Sequence, residues 1–361
     1  MKVDPVDDLM NKGLRERVFP GAVLLAGKGD AELFLRAYGK ADLFSNRPMT
    51  PETVFDLASL TKPLATALAV ARLIDRGQVA LDRPAVDWLP ELAGDKTAIT
   101  VRQLLCHRSG LPAHRLFYMV LKNLDPRERK DAVLGLIART PLKAPPGTKT
   151  LYSDLGFMLL CRLVERVAGC TLDRFLAERI YGPMGIDDLF FLPLPNFSSL
   201  QRPFAATEFC PVRCRLLKGE VHDDNAWYAG GVDGHAGLFG TTRAVFSLLR
   251  RLAAEHSGRE KAPVFSKEIL DFIFKNDPAD HFSLGFDRPA AENSSAGCYF
   301  SKNSVGHLGF TGVSFWMDST TDMTVVLLTN RVHPFRWHNR LVDFRPKIHD
   351  RIMEHFGIQA D

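Results

Sequence analysis

The residues best suited to chemistry are a serine and a lysine, Ser59 and Lys62, at the two ends of the run SLTK. Residues three apart share one face of a helix, so the Ser59 hydroxyl and the Lys62 amine can meet. Pro63 follows at once, and because proline is tolerated only in the first turn of a helix, it predicts that Ser59 lies at a helix N-terminus. The positive end of the helix dipole would favour an oxyanion there. The pattern indicates a serine nucleophile activated by a lysine; the alternative is a capping serine beside a solvated lysine.

A tyrosine and a glycine-bearing strand supply two further candidate pieces. Tyr152 precedes Ser153 and Asp154 at a predicted helix start, and a tyrosine near a lysine can become a phenolate and act as a general base. The run SVGHLGFTG (304–312) is typical of a strand whose glycines let another backbone come close. Such a strand can offer N–H groups to an oxyanion and align an extended acyl substrate. The structural alternatives are a tyrosine packed at a helix start and a glycine-rich strand bend.

The elements that must position these residues are strands at both ends of the chain and helices between them. AVLLAG (22–27) and AELFLRAYG (31–39) flank a glycine-containing turn, which predicts a hairpin, and strand-like runs return over 304–330. Helical patterns cover 5–17, 59–76 and about 345–356, with several more in the middle of the chain. Because hairpins join the strands, we expect one antiparallel sheet that both chain ends share.

The predicted fold class is therefore α+β: an antiparallel β-sheet flanked by N- and C-terminal helices, plus a mostly helical lobe. We expect residues 1–76 and 283–361 to form the lobe with the sheet, and residues 77–282 to form the helical lobe. A cleft between two lobes is a favoured place for an active site.

Three motifs in a fixed order make the chain similar to a known family. The chain resembles the penicillin-recognising family that holds class C β-lactamases, D-alanyl-D-alanine carboxypeptidases, D-aminopeptidases and related esterases. That family carries Ser-x-x-Lys, then Tyr-x-Asn, then Lys-Thr-Gly or His-x-Gly, and here the motifs read SLTK (59–62), YSD (152–154) and HLG (307–309). Longer segments such as ITVRQLLCHRSGLP and GHAGLFGTT also look like family segments, so the resemblance covers nearly the whole chain and implies a β-lactamase/transpeptidase-like fold.

The resemblance implies a role for each motif residue. Ser59 would form the acyl-enzyme, and Lys62 and Tyr152 would move its proton and that of the leaving group. The backbone N–H groups of Ser59 and Phe310 would form the oxyanion hole. His307 would stand in for the lysine of the third motif and line the pocket.

Four residues would contact the substrate by the same resemblance: Asp154, His307, Gly309 and Thr311. Two of them depart from the family pattern. Asp154 replaces the commoner asparagine, and an ionised carboxylate cannot donate a hydrogen bond to a substrate carbonyl. Asp154 could instead pair with Lys62 and keep it charged, which would shift the role of base to Tyr152.

The second departure is His307, which offers less positive charge to a substrate carboxylate than a lysine at neutral pH. Both changes favour an esterase or amidase acting on a small-molecule ester, amide or D-peptide. The alternatives are a β-lactamase, a D-amino-acid peptidase or carboxypeptidase, and a catalytically weak peptide-binding protein of the same fold.

The remaining features exclude several other classes of protein. A net charge of +4 over 361 residues gives no case for a nucleic-acid partner, and the basic-aromatic run 331–340 is interpreted as a surface loop before the last helix. The sequence contains no zinc, P-loop or nucleophile-elbow motif, so no cofactor and no metal are expected. With no signal-like N-terminus, no membrane span and scattered cysteines, we predict a cytoplasmic protein with free thiols. His235 is expected to be structural and bonded to backbone.

Overall fold

The computed structural model describes residues 4–194, 201–274 and 282–359 of the 361-residue chain. The strands of the described residues are β1 (Gly21–Lys28), β2 (Ala31–Asp42), β3 (Arg47–Pro48), β4 (Phe55–Asp56), β5 (Leu189–Phe191), β6 (Ala206–Cys210), β7 (Arg215–Lys218), β8 (Leu238–Gly240), β9 (Phe282–Ser283), β10 (Phe286–Asp287), β11 (Val305–Gly309), β12 (Val313–Asp318) and β13 (Met323–Thr329).

The α-helices of the described residues are α1 (Pro5–Arg15), α2 (Leu68–Asp75), α3 (Val101–Leu105), α4 (Tyr118–Leu121), α5 (Arg129–Arg139), α6 (Asp154–Ala168), α7 (Leu172–Leu176), α8 (Gly182–Met184), α9 (Asp224–Tyr228), α10 (Thr242–His256), α11 (Lys267–Phe274) and α12 (Leu341–His355). Short 3₁₀ turns cover Ala58–Leu60, Ala85–Asp87 and Pro90–Leu92, and π-helical turns cover Lys62–Ala67 and Ala177–Tyr181.

An eight-stranded sheet carries strands from both ends of the chain, in the order β3-β2-β1-β13-β12-β11-β10-β9. The pairings are antiparallel, and β1 lies against β13 with Ala22 opposite Thr329 and Lys28 opposite Met323. This confirms the predicted fold class and the expectation that the terminal strands share one sheet. The boundary between two lobes at residues 76 and 282 stays a prediction.

The central strands are buried on both faces, and alternate side chains enter two different cores. Leu24 of β1 packs with α1 and α12, for example with Met10 and Ile352. Its neighbour Leu25 enters the larger core, which also holds Phe246 of α10 and the helices of the middle region. Because side chains alternate along a strand, the near-continuous apolar runs of β1 and β13 are what a sheet covered on both sides requires.

Two predicted helices differ from the structure at their ends. The predicted helix over 59–76 starts as a 3₁₀ turn and a π turn before it becomes α2 at Leu68. Single π turns are frequent at functional sites. The last helix starts at Leu341 rather than near 345, because Leu341 and Phe344 are buried in the smaller core and carry the helix through Pro346.

A second, three-stranded sheet in the order β4-β8-β5 leads the chain into the first motif. Beyond the end of β4, the Leu57 N–H donates to the Leu238 carbonyl at 2.9 Å. The backbone just before Ser59 is therefore held in place by hydrogen bonds to this sheet. The six cysteines are free in the structure, as the sequence predicts. No helix among the described residues is both long enough and apolar enough to cross a membrane.

Candidate active site

Ser59 lies in a 3₁₀ turn that a buried carboxylate shapes. One oxygen of Asp56 accepts the Ala58 N–H at 2.8 Å and the other accepts the His222 N–H at 2.6 Å. Ala58 adopts φ of +46°, a left-handed conformation that costs a residue with a Cβ about 1–3 kcal/mol. The bend turns the chain sharply and leaves Ser59 lining a cavity.

Lys62 is fully buried, and its ammonium group contacts the nucleophile, a backbone carbonyl and a carboxylate. Its Nζ lies 3.1 Å from Ser59 Oγ, 3.1 Å from the His235 carbonyl and 2.7 Å from Asp154 Oδ1. Burial lowers the pKa of Lys62, but the charge of Asp154 and the neighbouring Tyr152 outweigh it and leave that pKa above its ordinary value. Lys62 is therefore charged at neutral pH and donates to the Ser59 oxygen.

Tyr152 reaches the same place from the residue before the cap of α6. Its ring centroid lies 4.9 Å from Lys62 Nζ and 4.4 Å from the centroid of the His107 ring, which supports it from behind. Burial raises the pKa of Tyr152, and the opposing influence of Lys62 and of hydrogen bonds to Lys62 and Ser59 does not cancel that rise. Lys62 thus lies between Ser59 and Tyr152, and the resting phenol is neutral.

Asp154 begins α6 and sits between a buried cation and an imidazole. Ser153 caps the helix, its Oγ accepting the Gly156 N–H, and places Asp154 in the first turn, where the helix dipole favours a carboxylate. Asp154 Oδ1 binds Lys62 at 2.7 Å, and Oδ2 lies 3.2 Å from His114 Nδ1. Burial raises the pKa of Asp154, but Lys62 and His114 lower it by more than that. The pKa of Asp154 therefore lies well below its ordinary range. Asp154 is ionised.

The third motif lies on β11 beside this group, but His307 does not reach the cavity. His307 is 3% exposed, its ring centroid lies 6.0 Å from that of Tyr152, and its Nδ1–H donates to the Leu308 carbonyl at 2.7 Å. Burial and the nearby Lys62 lower the pKa of His307 to about 3, so the imidazole is neutral. It packs behind Tyr152 and supplies no positive charge.

The other predicted residues, in the third motif and in the turn that follows β11, divide between the cavity and its wall. Phe310 lines the cavity and is 48% exposed. Gly309 lies behind it, and a Cβ there would stand 2.8 Å from the Leu57 carbonyl, so only glycine permits this approach to the nucleophile segment. Thr311 is buried, and its hydroxyl donates to the Asp56 carbonyl at 2.8 Å. Gly309 and Thr311 thus hold β11 against the turn that carries Ser59.

The cavity has a volume of about 410 Å³. Its lining residues are Ala58, Ser59, His114, Leu116, Tyr118, Tyr152, Asp154, His222, Asp223, Asp224, Asn225, His235, Ala236, Phe310 and Arg336.

Several of these lining residues carry no signal in the sequence. His114, Asn225 and Arg336 belong to no motif and come from three distant parts of the chain. Arg336 lies in the basic-aromatic run predicted to be a surface loop, yet its Nε binds the buried Glu208 at 2.7 Å. The composition of this run gives no sign of that contact, because arginine side chains are mostly exposed in proteins.

The His235 ring hydrogen-bonds a carboxylate rather than the backbone, contrary to the expectation from sequence, and a second carboxylate lies nearby. Its Nε2 lies 2.9 Å from Asp223 Oδ1, and its Nδ1 lies 3.8 Å from Asp233 Oδ1. Burial lowers the pKa of His235, but the two aspartates outweigh it and raise that pKa to about 10. The buried imidazolium holds the segment whose carbonyl accepts from Lys62.

This arrangement predicts a stability that falls as the solution becomes alkaline. The folded pKa of His235, about 10, lies above the ordinary value near 6.5 of the unfolded chain, so its contribution is complete below about pH 6.5 and is lost as the pH rises toward 10. The variant Asp223→Asn keeps a residue able to cap α9 but removes one charge that raises this pKa. Urea unfolding from pH 6 to 10 should show a smaller stability loss in this variant; identical pH dependence would contradict the assignment.

Comparisons with known proteins identify the family of the chain. The family model described as Beta-lactamase matches residues 6–343. The N-acetylmuramyl-L-alanine amidase of Bacillus subtilis (strain 168) is 32% identical over 362 residues, covering 92% of this chain and 81% of that protein. An Escherichia coli (strain K12) protein provisionally named D-alanyl-D-alanine carboxypeptidase is 31% identical over 345 residues, covering 87% and 79%.

A solved structure extends the likeness to the whole fold. EstCE1, described as a hydrolase with promiscuous acyltransferase activity, superposes with a TM-score of 0.75 at 21% identity, over 96% of this chain and 97% of that one. The family model spans nearly the entire sequence, and two relatives exceed 30% identity. The chain therefore belongs to the beta-lactamase family of serine hydrolases.

Proposed function

We propose that this protein is an acyl hydrolase that cleaves small esters or amides through an acyl-enzyme on Ser59, with Tyr152 moving the protons and the charged Lys62 stabilising its phenolate. The observation that carries the proposal is the contact of Lys62 with both Ser59 and Asp154, at 3.1 and 2.7 Å. A lysine held charged by a carboxylate cannot take the serine proton. Tyr152 lines the cavity beside Ser59, with its ring centroid 4.9 Å from Lys62 Nζ, and we assign it as the base.

Acylation then follows from this assignment. The Tyr152 phenolate takes the proton of Ser59 as its Oγ bonds to the acyl carbon, and Lys62 stabilises the phenolate until it is protonated. The phenol returns that proton to the leaving oxygen or nitrogen as its bond to the acyl carbon breaks. A water molecule releases the acyl group by the reverse sequence, its proton passing through Tyr152 back to Ser59.

The oxyanion would be bound by the backbone N–H groups of Ser59 and Phe310. Both residues line the cavity, and Gly309 brings the end of β11 against the Ser59 turn. Preorganised donors of this kind are typically worth about 10²–10³-fold in rate each.

Two features favour simple esters and amides over β-lactams. The Asp154 carboxylate is ionised and engaged by Lys62 and His114, so it cannot donate to a substrate amide carbonyl as an asparagine could. His307 is buried and neutral, so it offers no charge to the carboxylate of a penicillin. A substrate that needs neither the hydrogen bond from residue 154 nor a positive charge from residue 307 loses no binding energy in this site.

A D-amino-acid peptidase or amidase is the second candidate function. The Bacillus subtilis and Escherichia coli relatives carry the names of an amidase and a carboxypeptidase. Arg336 lines the cavity and places a guanidinium group near Phe310, with its charge centre 5.6 Å from the ring centroid. A peptide carboxylate could bind there in place of the missing third-motif lysine.

A substrate panel tests the proposal. Wild-type protein and Ser59→Ala would be assayed with p-nitrophenyl acetate and butyrate, D-alanyl-D-alanine, an N-acylated muramyl dipeptide and a chromogenic cephalosporin. We expect kcat/KM for an ester to exceed that for the cephalosporin by about 10-fold or more, because a hydrogen bond and a charge-assisted contact to the β-lactam are both missing. Subtracting the Ser59→Ala rate removes hydrolysis that does not pass through the nucleophile.

The same panel separates the alternatives. Efficient cephalosporin turnover with negligible ester turnover would contradict the interpretation of Asp154 and His307. Preferential cleavage of the D-peptide would select the peptidase. Saturable binding of a peptide without turnover of any substrate would identify a catalytically weak binding protein.

A further inference from the structure

We infer that His114 is a positioning residue for catalysis, acting through Asp154 on the ammonium group of Lys62. This inference rests on the proposed function, since it concerns how the same site keeps its lysine in place. The motif residues alone do not hold the Asp154 carboxylate in place. One of its oxygens binds Lys62, and the other is held by His114, a histidine outside every motif.

Four side chains form a continuous chain of hydrogen bonds from the nucleophile to the cavity rim. Ser59 Oγ lies 3.1 Å from Lys62 Nζ, which lies 2.7 Å from Asp154 Oδ1. Asp154 Oδ2 lies 3.2 Å from Nδ1 of His114, whose side chain is 42% exposed. Since the carboxylate accepts, the His114 Nδ1–H donates, and this bond fixes the plane of the carboxylate that holds Lys62.

The backbone around His114 is anchored to the start of α6, which carries Asp154. The Ser153 hydroxyl donates to the Pro112 carbonyl at 2.8 Å, and the Asp154 N–H donates to the Ala113 carbonyl at 2.9 Å. The residue immediately before His114 therefore binds the backbone of Asp154 itself. These backbone bonds fix the position of the His114 side chain relative to that of Asp154, even though the imidazole reaches the surface of the cavity.

A second anchor holds the segment that follows His114. The Asn225 side chain donates from Nδ2 to the Arg115 carbonyl at 2.8 Å and accepts the Tyr118 N–H at 2.9 Å. His114 is thus fixed from both sides, by α6 and by α9. A side chain with such support loses little conformational freedom when it binds a carboxylate, which is what a positioning role requires.

An asparagine at position 154 would not need this support, because its amide cannot form an ion pair with Lys62. With Asp154, the ion pair and the His114 hydrogen bond form one unit. Loss of the histidine should let the carboxylate rotate and move Lys62 away from Ser59, slowing acylation without removing any group that touches the substrate bond.

The test compares two replacements of the histidine. His114→Asn keeps an N–H donor near the position of Nδ1, whereas His114→Leu has similar bulk and no donor. Acylation of Ser59 would be followed with p-nitrophenyl acetate under single-turnover conditions. We expect a loss of about 10- to 100-fold for His114→Leu, the scale of one hydrogen bond to a charged group, and less than about 3-fold for His114→Asn. The loss should appear in kcat rather than in KM.

A double-mutant cycle with Asp154→Asn distinguishes positioning from a general structural effect. If His114 acts through the carboxylate, His114→Leu should change the rate by less than about 2-fold in the Asp154→Asn background. His256→Leu is the matched control, because it removes a histidine–aspartate hydrogen bond of 2.9 Å, between His256 and Asp271, outside the cavity. That control should leave the acylation rate unchanged.

Three results would overturn the inference: an unchanged rate in His114→Leu, an equal loss in His114→Asn and His114→Leu, or the full loss persisting beside Asp154→Asn. If Asp154→Asn proves too slow to measure, the comparison of His114→Asn with His114→Leu still tests the positioning role. Failure of the proposed function looks different, because Ser59→Ala would then retain the wild-type rate whatever residue stands at position 114.

Discussion

Replacing Ser59 with alanine should abolish both ester hydrolysis and covalent labelling by a fluorophosphonate. The hydroxyl is the group that would become acylated, so no other atom in the cavity can substitute for it in the proposed route. We expect the rate to fall by about 10⁴-fold or more, toward the residual catalysis that binding and oxyanion contacts can supply. Gel-based labelling and a p-nitrophenyl ester assay on the same preparations measure the two effects.

The fold should be nearly unaffected by this substitution. Ser59 Oγ receives one hydrogen bond from Lys62, which keeps its bonds to Asp154 and to the His235 carbonyl. Ser314→Ala is a suitable control, because Ser314 is buried on β12 and its hydroxyl has no partner among the described residues. That variant should be labelled like the wild type. A Ser59→Ala protein that hydrolyses the ester at the wild-type rate would remove the basis of the proposed function.

The parts of the site that could be predicted from sequence depend on short spacings. Ser59 and Lys62 are three residues apart, and Tyr152 stands next to the cap of its helix, so their geometry follows from helix periodicity and capping. The left-handed Ala58 has no such signal, because alanine usually occupies helical conformations. In the structure the Ala58 N–H donates to Asp56 Oδ1 at 2.8 Å, a contact that accompanies this conformation.

The parts that could not be predicted depend on contacts between distant segments. His114 meets Asp154 across 40 positions, and Arg336 meets Glu208 across 128. No local pattern encodes such pairs, because they form only when helices and loops have packed. The charge state of His307 also depends on distant contacts. Its position in a strand was predictable, but its 3% exposure, which keeps the imidazole neutral, depends on the elements that cover that strand.

The sheet was predictable for a different reason. β1 and β13 are long, apolar and rich in β-branched or aliphatic residues, and both are covered on two faces, so pattern and burial agree. Helix ends that depend on packing rather than on a sequence pattern differ from the prediction. Leu341 starts the last helix because its side chain is buried, not because a capping residue precedes it.

Removing either partner of the proposed proton-transfer pair should have the second large effect. Lys62→Met and Tyr152→Phe should each slow acylation by about 10²-fold or more, the scale of a positioned acid–base group. The double variant should be little slower than the worse single variant, because Lys62 acts by stabilising the phenolate of Tyr152 and the two side chains serve one proton transfer. Lys96→Met is the matched control, since Lys96 is also buried and pairs with an aspartate, Asp95, at 2.7 Å.

The variants should differ in stability as well as in rate. Lys62→Met leaves the Asp154 carboxylate, 18% exposed, without its cation, and breaking a buried ion pair costs about 3–5 kcal/mol. Tyr152→Phe removes only a phenolic oxygen at the cavity and should unfold close to the wild-type temperature. Rates must therefore be compared below the melting temperature of the Lys62 variant.

The pH profile gives the sharpest test of which group is the base. Burial leaves the pKa of Tyr152 above its ordinary value near 10, so only a small fraction of the protein holds a phenolate at neutral pH. If that phenolate takes the Ser59 proton, kcat/KM should rise about 10-fold per pH unit from pH 7 toward 9, and Tyr152→Phe should lose the rise. A profile that is flat over this range in the wild type, or equally steep in Tyr152→Phe, would assign the proton to another group, and the charged Lys62 would then need to pass a proton to Asp154 before accepting one from Ser59.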